Sequence, residues 1–165
     1  MKNKIIHYAK EIVLFIIVMT LFANAVSLYK SQDLNKESMP QISTRLINTH
    51  PYVTPTDKPL LIHIWATWCP TCKLEAGNIQ RVSQEYEVIT FAVSSGSDLE
   101  IKNFLDEHNL DIKVINDKNA YWARKFNVSA YPTTFIYDKN RNLVFSEVGY
   151  TSSLGLFIRM WWASL

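Results

Sequence analysis

The chain of 165 residues contains two cysteines, Cys69 and Cys72, and their spacing makes a C-x-x-C. A cysteine acts as nucleophile through its thiolate, and a thiol at a helix N-terminus faces unpaired backbone N–H groups and the positive end of the helix dipole. Such placement lowers a thiol pKa from about 8.5 into the range of roughly 3.5 to 7.5, so Cys69 is expected to be ionised near neutral pH. Cys72, one helical turn later, shares a face with Cys69 and is expected to resolve a mixed disulfide by attacking the Cys69 sulfur. Two other uses compete. A permanent clamp would close so short a loop that it restrains the unfolded chain little. A closed metal site would need about two more ligands, and neither a second cysteine pair nor a nearby histidine cluster supplies them. The pair alone could still hold a soft Cu(I) ion, which makes a copper-handling binding module the rival from another class.

The chemistry requires a helix that starts at the pair, and the surrounding pattern provides one. Leu60 to Ala66, LLIHIWA, is a short apolar run that reads as a strand covered on both faces. Pro70 suits the first turn of a helix, where its missing N–H costs nothing, and the helix is expected to run to about Glu85. Val88 to Ser94 reads as a second buried strand. Ser97 and Glu100 have capping-box spacing and open a helix ending near Asn109. Ile112 to Ile115 follows as a short strand and Ala120 to Phe126 as a helical piece. Thr133 to Tyr137 and Leu143 to Val148, joined by Asp138-Lys139-Asn140-Arg141-Asn142, have the period and turn composition of a hairpin. A last helix spans about Ser152 to Ala163. This order predicts an α/β fold, a mixed sheet flanked by helices.

Composition limits the rest. With 48% hydrophobic and 19% charged residues, one compact domain with an appendage is expected, and a disordered or repetitive chain is excluded. Lys2, Lys4 and Lys10 against Glu11 account for the whole net charge of +2, so the folded part has no basic excess for nucleic acid. Ile12 to Tyr29 carries no charge, and its eighteen residues give about 27 Å of helix, close to the hydrocarbon thickness of a bilayer. The lysines before it leave the N-terminus in the cytoplasm and send the remainder across. Residues 1–29 therefore read as a transmembrane anchor. A cleaved signal with its site near Ala23-Asn24-Ala25 and a buried core helix are the alternatives. Residues 30–58 are polar and hold Pro40, Pro51 and Pro55, as in a linker with a short edge strand over Gln41 to Ile47. Residues 59–165 form the domain.

Trp65-Ala66-Thr67-Trp68-Cys69-Pro70-Thr71-Cys72-Lys73 resembles the active-site signature of the thioredoxin superfamily. It is most similar to the membrane-tethered, extracytoplasmic TlpA/DsbE-like branch, with an overall pattern similar to the ScsD-like proteins. The resemblance implies a thioredoxin-like mixed sheet behind an N-terminal transmembrane helix. It also implies that Tyr131-Pro132-Thr133 forms the family's cis-proline loop, which faces the cysteines and binds the substrate backbone. Cys69 and Cys72 take the catalytic positions, with Trp68, Pro70, Thr71, Tyr131 and Pro132 in support and no cofactor. Six residues before the first cysteine, where the family has a buried acid, this chain has His63. It reads either as the group exchanging a proton with Cys72 or as a buried neutral histidine bonded to a carbonyl. Gly77 replaces the family's helix-kinking proline. The stretch Asn127 to Thr134 also lacks the acidic residue that follows the cis-proline in the cytochrome c maturation branch.

The implied partners are protein thiols and disulfides, with a DsbD-type membrane protein as electron donor. About sixty residues separate Cys72 from Pro132, too few for the large helical insertion of a DsbA-like oxidant, so the expected direction is reductant or isomerase. Trp65 reads as core and Trp68 as an apolar surface beside Cys69. Glu75 matches a glutamate common in the tethered branch, and the helix dipole accounts for an acidic residue near that end. Leu156, Phe157, Ile158, Met160, Trp161 and Trp162 are expected to pack on the sheet, the bilayer interface being the alternative. His7, His50 and His108 are scattered and read as incidental.

Overall fold

The computed structural model describes residues 2–31, 33–35 and 38–165, so Gln32, Lys36 and Glu37 of the expected linker, and the side chain of Ala23 at the signal-cleavage alternative, lie outside the described residues. In chain order the elements are α1 (Lys2–Ser31), β1 (Ser43–Arg45), β2 (Pro51–Val53), β3 (Leu60–Trp65), α2 (Pro70–Ser83), β4 (Glu87–Val93) and α3 (Asp98–Glu107). They continue with β5 (Val114–Asp117), α4 (Tyr121–Lys125), β6 (Thr133–Tyr137), β7 (Leu143–Val148) and α5 (Ser153–Ala163). From β3 onward this is the order read from periodicity, with ends displaced by a few residues.

Five strands form one sheet in the order β5-β4-β3-β6-β7. The β3–β4 and β4–β5 pairs are parallel, and β3–β6 and β6–β7 are antiparallel. β3 is central, and all six of its residues are buried because helices or loops cover both sheet faces. Alternation sorts its side chains. Leu60, Ile62 and Ile64 join Ile89, Phe91, Phe126 and Phe135 in one core layer. On the other face, Leu61 packs with Ile79 and Val82 of α2 and with Leu156 and Met160 of α5, while Trp65 meets Ile101 and Phe104 of α3. The capping box at Ser97 forms as its spacing requires: Ser97 Oγ accepts from Glu100 N, and the Glu100 carboxylate accepts from Ser97 N at 2.8 Å.

Residues 30–58 differ from the expected linker. Leu34, Met39, Ile42, Leu46 and Tyr52 are buried in the same core layer as β3. β1 pairs antiparallel with β2 in a small separate sheet. Thr54 N donates to the Ile42 carbonyl at 3.0 Å, and Ile47 N donates to the Val114 carbonyl at 3.0 Å, which ties the segment to the edge strand β5. The five apolar side chains stand at irregular intervals among prolines and polar residues, so they carry no period. They nevertheless shield sheet surface that would otherwise meet water, at a gain of about 25 cal/mol per Å² of apolar area covered.

The C-terminal helix also departs from expectation. Leu156, Met160 and Ala163 face the sheet, whereas Ile158, Trp161 and Trp162 are exposed. An eleven-residue helix has room for one buried stripe, and i, i+4, i+7 from Leu156 fills it. At the other terminus α1 contains one stretch, Lys10–Ser27, long and apolar enough to cross a membrane, with a mean hydropathy of 1.8. Ile12 to Met19 are exposed along it, unlike the side chains of a core helix.

Candidate functional site

The cysteine pair sits where β3 gives way to α2. Cys69 is the N-cap of α2, with extended backbone (φ −86°, ψ 115°), and Pro70 opens the first turn. Pro70 belongs there because its fixed φ suits the helix and it has no N–H to leave unpaired. Cys69 and Cys72 are joined as a disulfide with their Cα atoms 5.3 Å apart. Cys72 N donates to Cys69 Sγ at 3.2 Å. In the reduced protein that N–H and the helix N-terminus would favour a thiolate on Cys69. Both cysteines are largely buried, Cys69 at 6% exposure and Cys72 at 2%.

A second loop closes on the pair. The Tyr131–Pro132 peptide bond is cis, and the Tyr131 carbonyl oxygen lies 3.7 Å from Cys69 Sγ. The loop is held at both ends: Thr133 Oγ1 donates to the Ala130 carbonyl at 2.8 Å, and Gly149 N donates to the Pro132 carbonyl at 2.8 Å. The exposed Trp68 ring meets the Tyr131 ring edge-on, with centroids 5.7 Å apart, and its Nε1 donates to the Ser94 carbonyl at 3.2 Å. Exposed Pro70 and half-buried Thr71 complete the rim. Trp65 is core, and its Nε1 donates to Thr90 Oγ1 at 3.1 Å. The structure thus gathers Trp68, Cys69, Pro70, Thr71, Cys72, Tyr131 and Pro132 at one edge.

His63 lies beneath them. It is buried, and its Nδ1 is 3.0 Å from Thr134 Oγ1, a hydroxyl where sequence reasoning offered a carbonyl. With Trp65, Cys72, Ala76, Ile79, Leu110 and Ile112 it lines a cavity of about 10 Å³, near the smallest that admits a single water. Burial pushes its pKa down to about 3, because the low-dielectric surroundings disfavour the imidazolium. The ring is neutral at physiological pH.

Glu75 was placed by sequence reasoning on the helix dipole, and the structure corrects this. It stands beyond the first turn of α2 and is fully buried, with Oε1 accepting from Thr151 N at 3.0 Å. Its Oε2 is buried without a hydrogen-bond partner among the described residues. Burial pushes its pKa up to about 8, with the nearby Glu147 charge acting in the same direction and the Thr151 bond against. A signal was available: Cys72, Glu75, Ile79 and Val82 stand at i, i+3, i+7 and i+10, the inward face of the helix. Among the described residues no group of three or more His, Cys, Asp or Glu could hold a metal ion.

A helix N-terminus bearing a CxxC disulfide against a cis-proline loop, on a mixed sheet with helices on both faces, defines a thioredoxin-like protein. The chain belongs to the Redoxin family, whose model matches residues 35–154. Among curated relatives, a thioredoxin-like protein of Haemophilus influenzae is 28% identical over 109 residues, which cover 65% of this chain and 64% of that protein. The thiol-disulfide oxidoreductase ResA of Oceanobacillus iheyensis is 34% identical over 87 residues, covering 50% of this chain and 45% of its own. The chain thus spans about half to two thirds of the length of these relatives. Among solved structures, a thiol:disulfide interchange protein of the thioredoxin family from Chlorobium tepidum shares the fold, with a TM-score of 0.69 and 20% identity over 78% of this chain and 97% of that one.

Proposed function

We propose that the protein is a membrane-anchored thiol–disulfide oxidoreductase whose domain works on the extracytoplasmic side, acting on protein disulfides as a reductant or isomerase. The observation that carries this reading is the position of Cys69 Sγ, at the start of α2 and 3.7 Å from the Tyr131 carbonyl. In the reaction, the Cys69 thiolate attacks a substrate disulfide, forming a mixed disulfide and releasing one substrate thiolate. Cys72, as thiolate, then attacks Cys69 Sγ. The Cys69–Cys72 disulfide forms, the second substrate sulfur leaves as a thiolate that takes up a proton, and two electrons have passed to the substrate. The cis loop supports an extended substrate backbone, and Trp68 supplies apolar surface beside the reacting sulfur. A dithiol on a DsbD-type membrane protein restores the reduced pair.

The likeness to ResA supports the chemistry, and α1 with three lysines ahead of its apolar stretch supports the anchor and its orientation. What separates Cys72 and Pro132 supports the direction: the rest of α2, then β4, α3, β5 and α4, fill that interval, which is too short for a large helical insertion. His63, neutral and weakly basic, holds β3 to β6; proton exchange with Cys72 is the alternative role.

Cys72→Ser tests the cycle. It is expected to accumulate mixed disulfides through Cys69 on non-reducing gels, with Cys69→Ser accumulating none. Stoichiometric Cu(I) on the wild type with no catalysed insulin reduction would replace the enzyme reading by a copper-binding one. Equilibration with glutathione tests direction, and a potential near about −120 mV, the range of strong oxidants, would reverse it.

A further inference from the structure

The turn that follows β4 touches the active-site loop, and its backbone is strained. Ser94 has φ 45°, in the left-handed region that a residue with a Cβ adopts at a cost, and such a conformation persists where the surroundings over-determine it. Here they do. Ser94 N donates to the Asp117 carbonyl of β5 at 3.2 Å, and Asn116 Nδ2 donates to the Gly96 carbonyl at 3.1 Å and to Asp98 Oδ1 at 2.7 Å. The buried Ser95 Oγ accepts from Thr67 N at 3.0 Å and donates to the Val93 carbonyl at 3.0 Å. Ser95 thereby fixes the turn to the residue before Trp68. Ser94 then aims its carbonyl at the Trp68 indole, whose Nε1 donates to it at 3.2 Å, while its own side chain is exposed.

We propose that Ser94 is a positioning residue: its left-handed backbone holds the Trp68 indole in place beside Cys69, and so sets the preference of the site for protein disulfides over small ones. The proposal deepens the oxidoreductase reading above and rests on it. Trp68 is 58% exposed, and an indole on the surface samples several rotamers unless something restrains it. Two contacts restrain this one. The Ser94 carbonyl takes the N–H, and Tyr131 meets the ring edge-on with centroids 5.7 Å apart. The first comes from the turn after β4 and the second from the cis-proline loop, so the ring is clasped between two loops that flank the reactive pair. A side chain ordered in advance does not lose that freedom when a substrate polypeptide covers it. A small disulfide reaches Cys69 without covering the ring and gains nothing from the restraint.

The test uses the full chain in detergent micelles and three variants. Ser94→Val and Ser94→Asn both remove the hydroxyl, but valine resists a positive φ whereas asparagine tolerates it. Ser94→Val is expected to raise KM for a protein disulfide by about two- to fivefold, the worth of one ordered side chain, with kcat and the rate toward a small-molecule disulfide unchanged. Ser94→Asn is expected to behave as the wild type; an equal defect in it would overturn the proposal, since the backbone conformation would then not be the cause. The Trp68 Nε1–H resonance, identified by its loss in Trp68→Phe, gives a readout independent of turnover. Its heteronuclear NOE is expected to match that of rigid backbone in the wild type and to fall in Ser94→Val. An NOE unchanged in Ser94→Val, or already low in the wild type, would overturn the proposal, as would a KM increase shared by the small disulfide. Should Ser94→Val fail to fold, Trp68→Phe decides, because it drops the N–H and keeps both the turn and an aromatic ring: the same selective rise in KM supports the proposal, and an unchanged KM overturns it. A wild-type chain with no disulfide exchange would remove the oxidoreductase reading, while the NOE still decides whether Ser94 holds the ring.

Discussion

His63 of β3 and Thr134 of β6 are direct cross-strand partners, and the imidazole Nδ1 lies 3.0 Å from the threonine Oγ1. This contact ties the strand that delivers the cysteines to the strand that leaves the cis-proline loop, so it bears on the separation between the Cys69 sulfur and the Tyr131 carbonyl. Thr134→Val leaves a buried ring nitrogen without its partner and is expected to cost about 1–3 kcal/mol, measured by urea unfolding.

The proton role of His63 is decided by kinetics. Because burial holds the imidazolium pKa at about 3, the ring is neutral throughout the working range and a weak acceptor for a thiol proton. His63→Asn is expected to leave the pH profile of disulfide exchange unchanged between about pH 6 and 9 while lowering stability. A limb of the profile that disappears in this variant, followed by stopped-flow fluorescence, would show that the Cys72 proton passes through the ring.

Stability of the oxidised protein is expected to depend on pH through two buried groups of opposite sense. His63 titrates near 3 in the folded chain against an ordinary 6.5, so as pH falls through that window the unfolded chain takes up a proton that the folded chain refuses, and stability drops. Glu75 titrates near 8 against an ordinary 4.5, so as pH rises through that window the unfolded chain gives up a proton that the folded chain keeps, and stability again drops. Each slope approaches about 1.4 kcal/mol per pH unit, and the two oppose each other between 4.5 and 6.5. Glu75→Gln is expected to flatten the alkaline side alone, as read from urea midpoints across pH.

Trp68 is exposed beside Cys69 and stacks edge-on with Tyr131 at 5.7 Å. Trp68→Ala is expected to raise KM for a protein disulfide by about two- to tenfold, the worth of one aromatic contact, with the rate toward a small-molecule disulfide nearly unchanged. Steady-state assays with both substrates check this.

Gly77 lies on the exposed side of α2, and a Cβ there would meet nothing within 4 Å. Gly77→Ala is expected to stabilise the protein by about 0.5–1 kcal/mol, because glycine loses more backbone freedom than alanine when helical. A thermal melt measures it.

Local order told most of the fold. The double-sided apolar run of β3, the capping box at Ser97 and the period-two strands either side of Asp138 to Asn142 are contained in spans of a few residues, so each could be read directly from the chain. The reactive pair was legible for the same reason: Cys69, Pro70 and Cys72 are neighbours, and a strand before them with a helix after them places a sulfur at a helix end. What depended on distant partners was hidden. Leu34, Ile42 and Tyr52 have no period, and only the bare side of β3 and β4 makes them core. Glu75 looked like a surface acid until α5 and Thr151 covered it, and Trp161 and Trp162 looked like core until Leu156 and Met160 had filled the one stripe that the sheet could take. The division has a physical cause. Backbone geometry and apolar period are properties of adjacent residues, whereas burial and acidity are set by what arrives from elsewhere in the chain, seventy-six residues away in the case of Glu75 and Thr151.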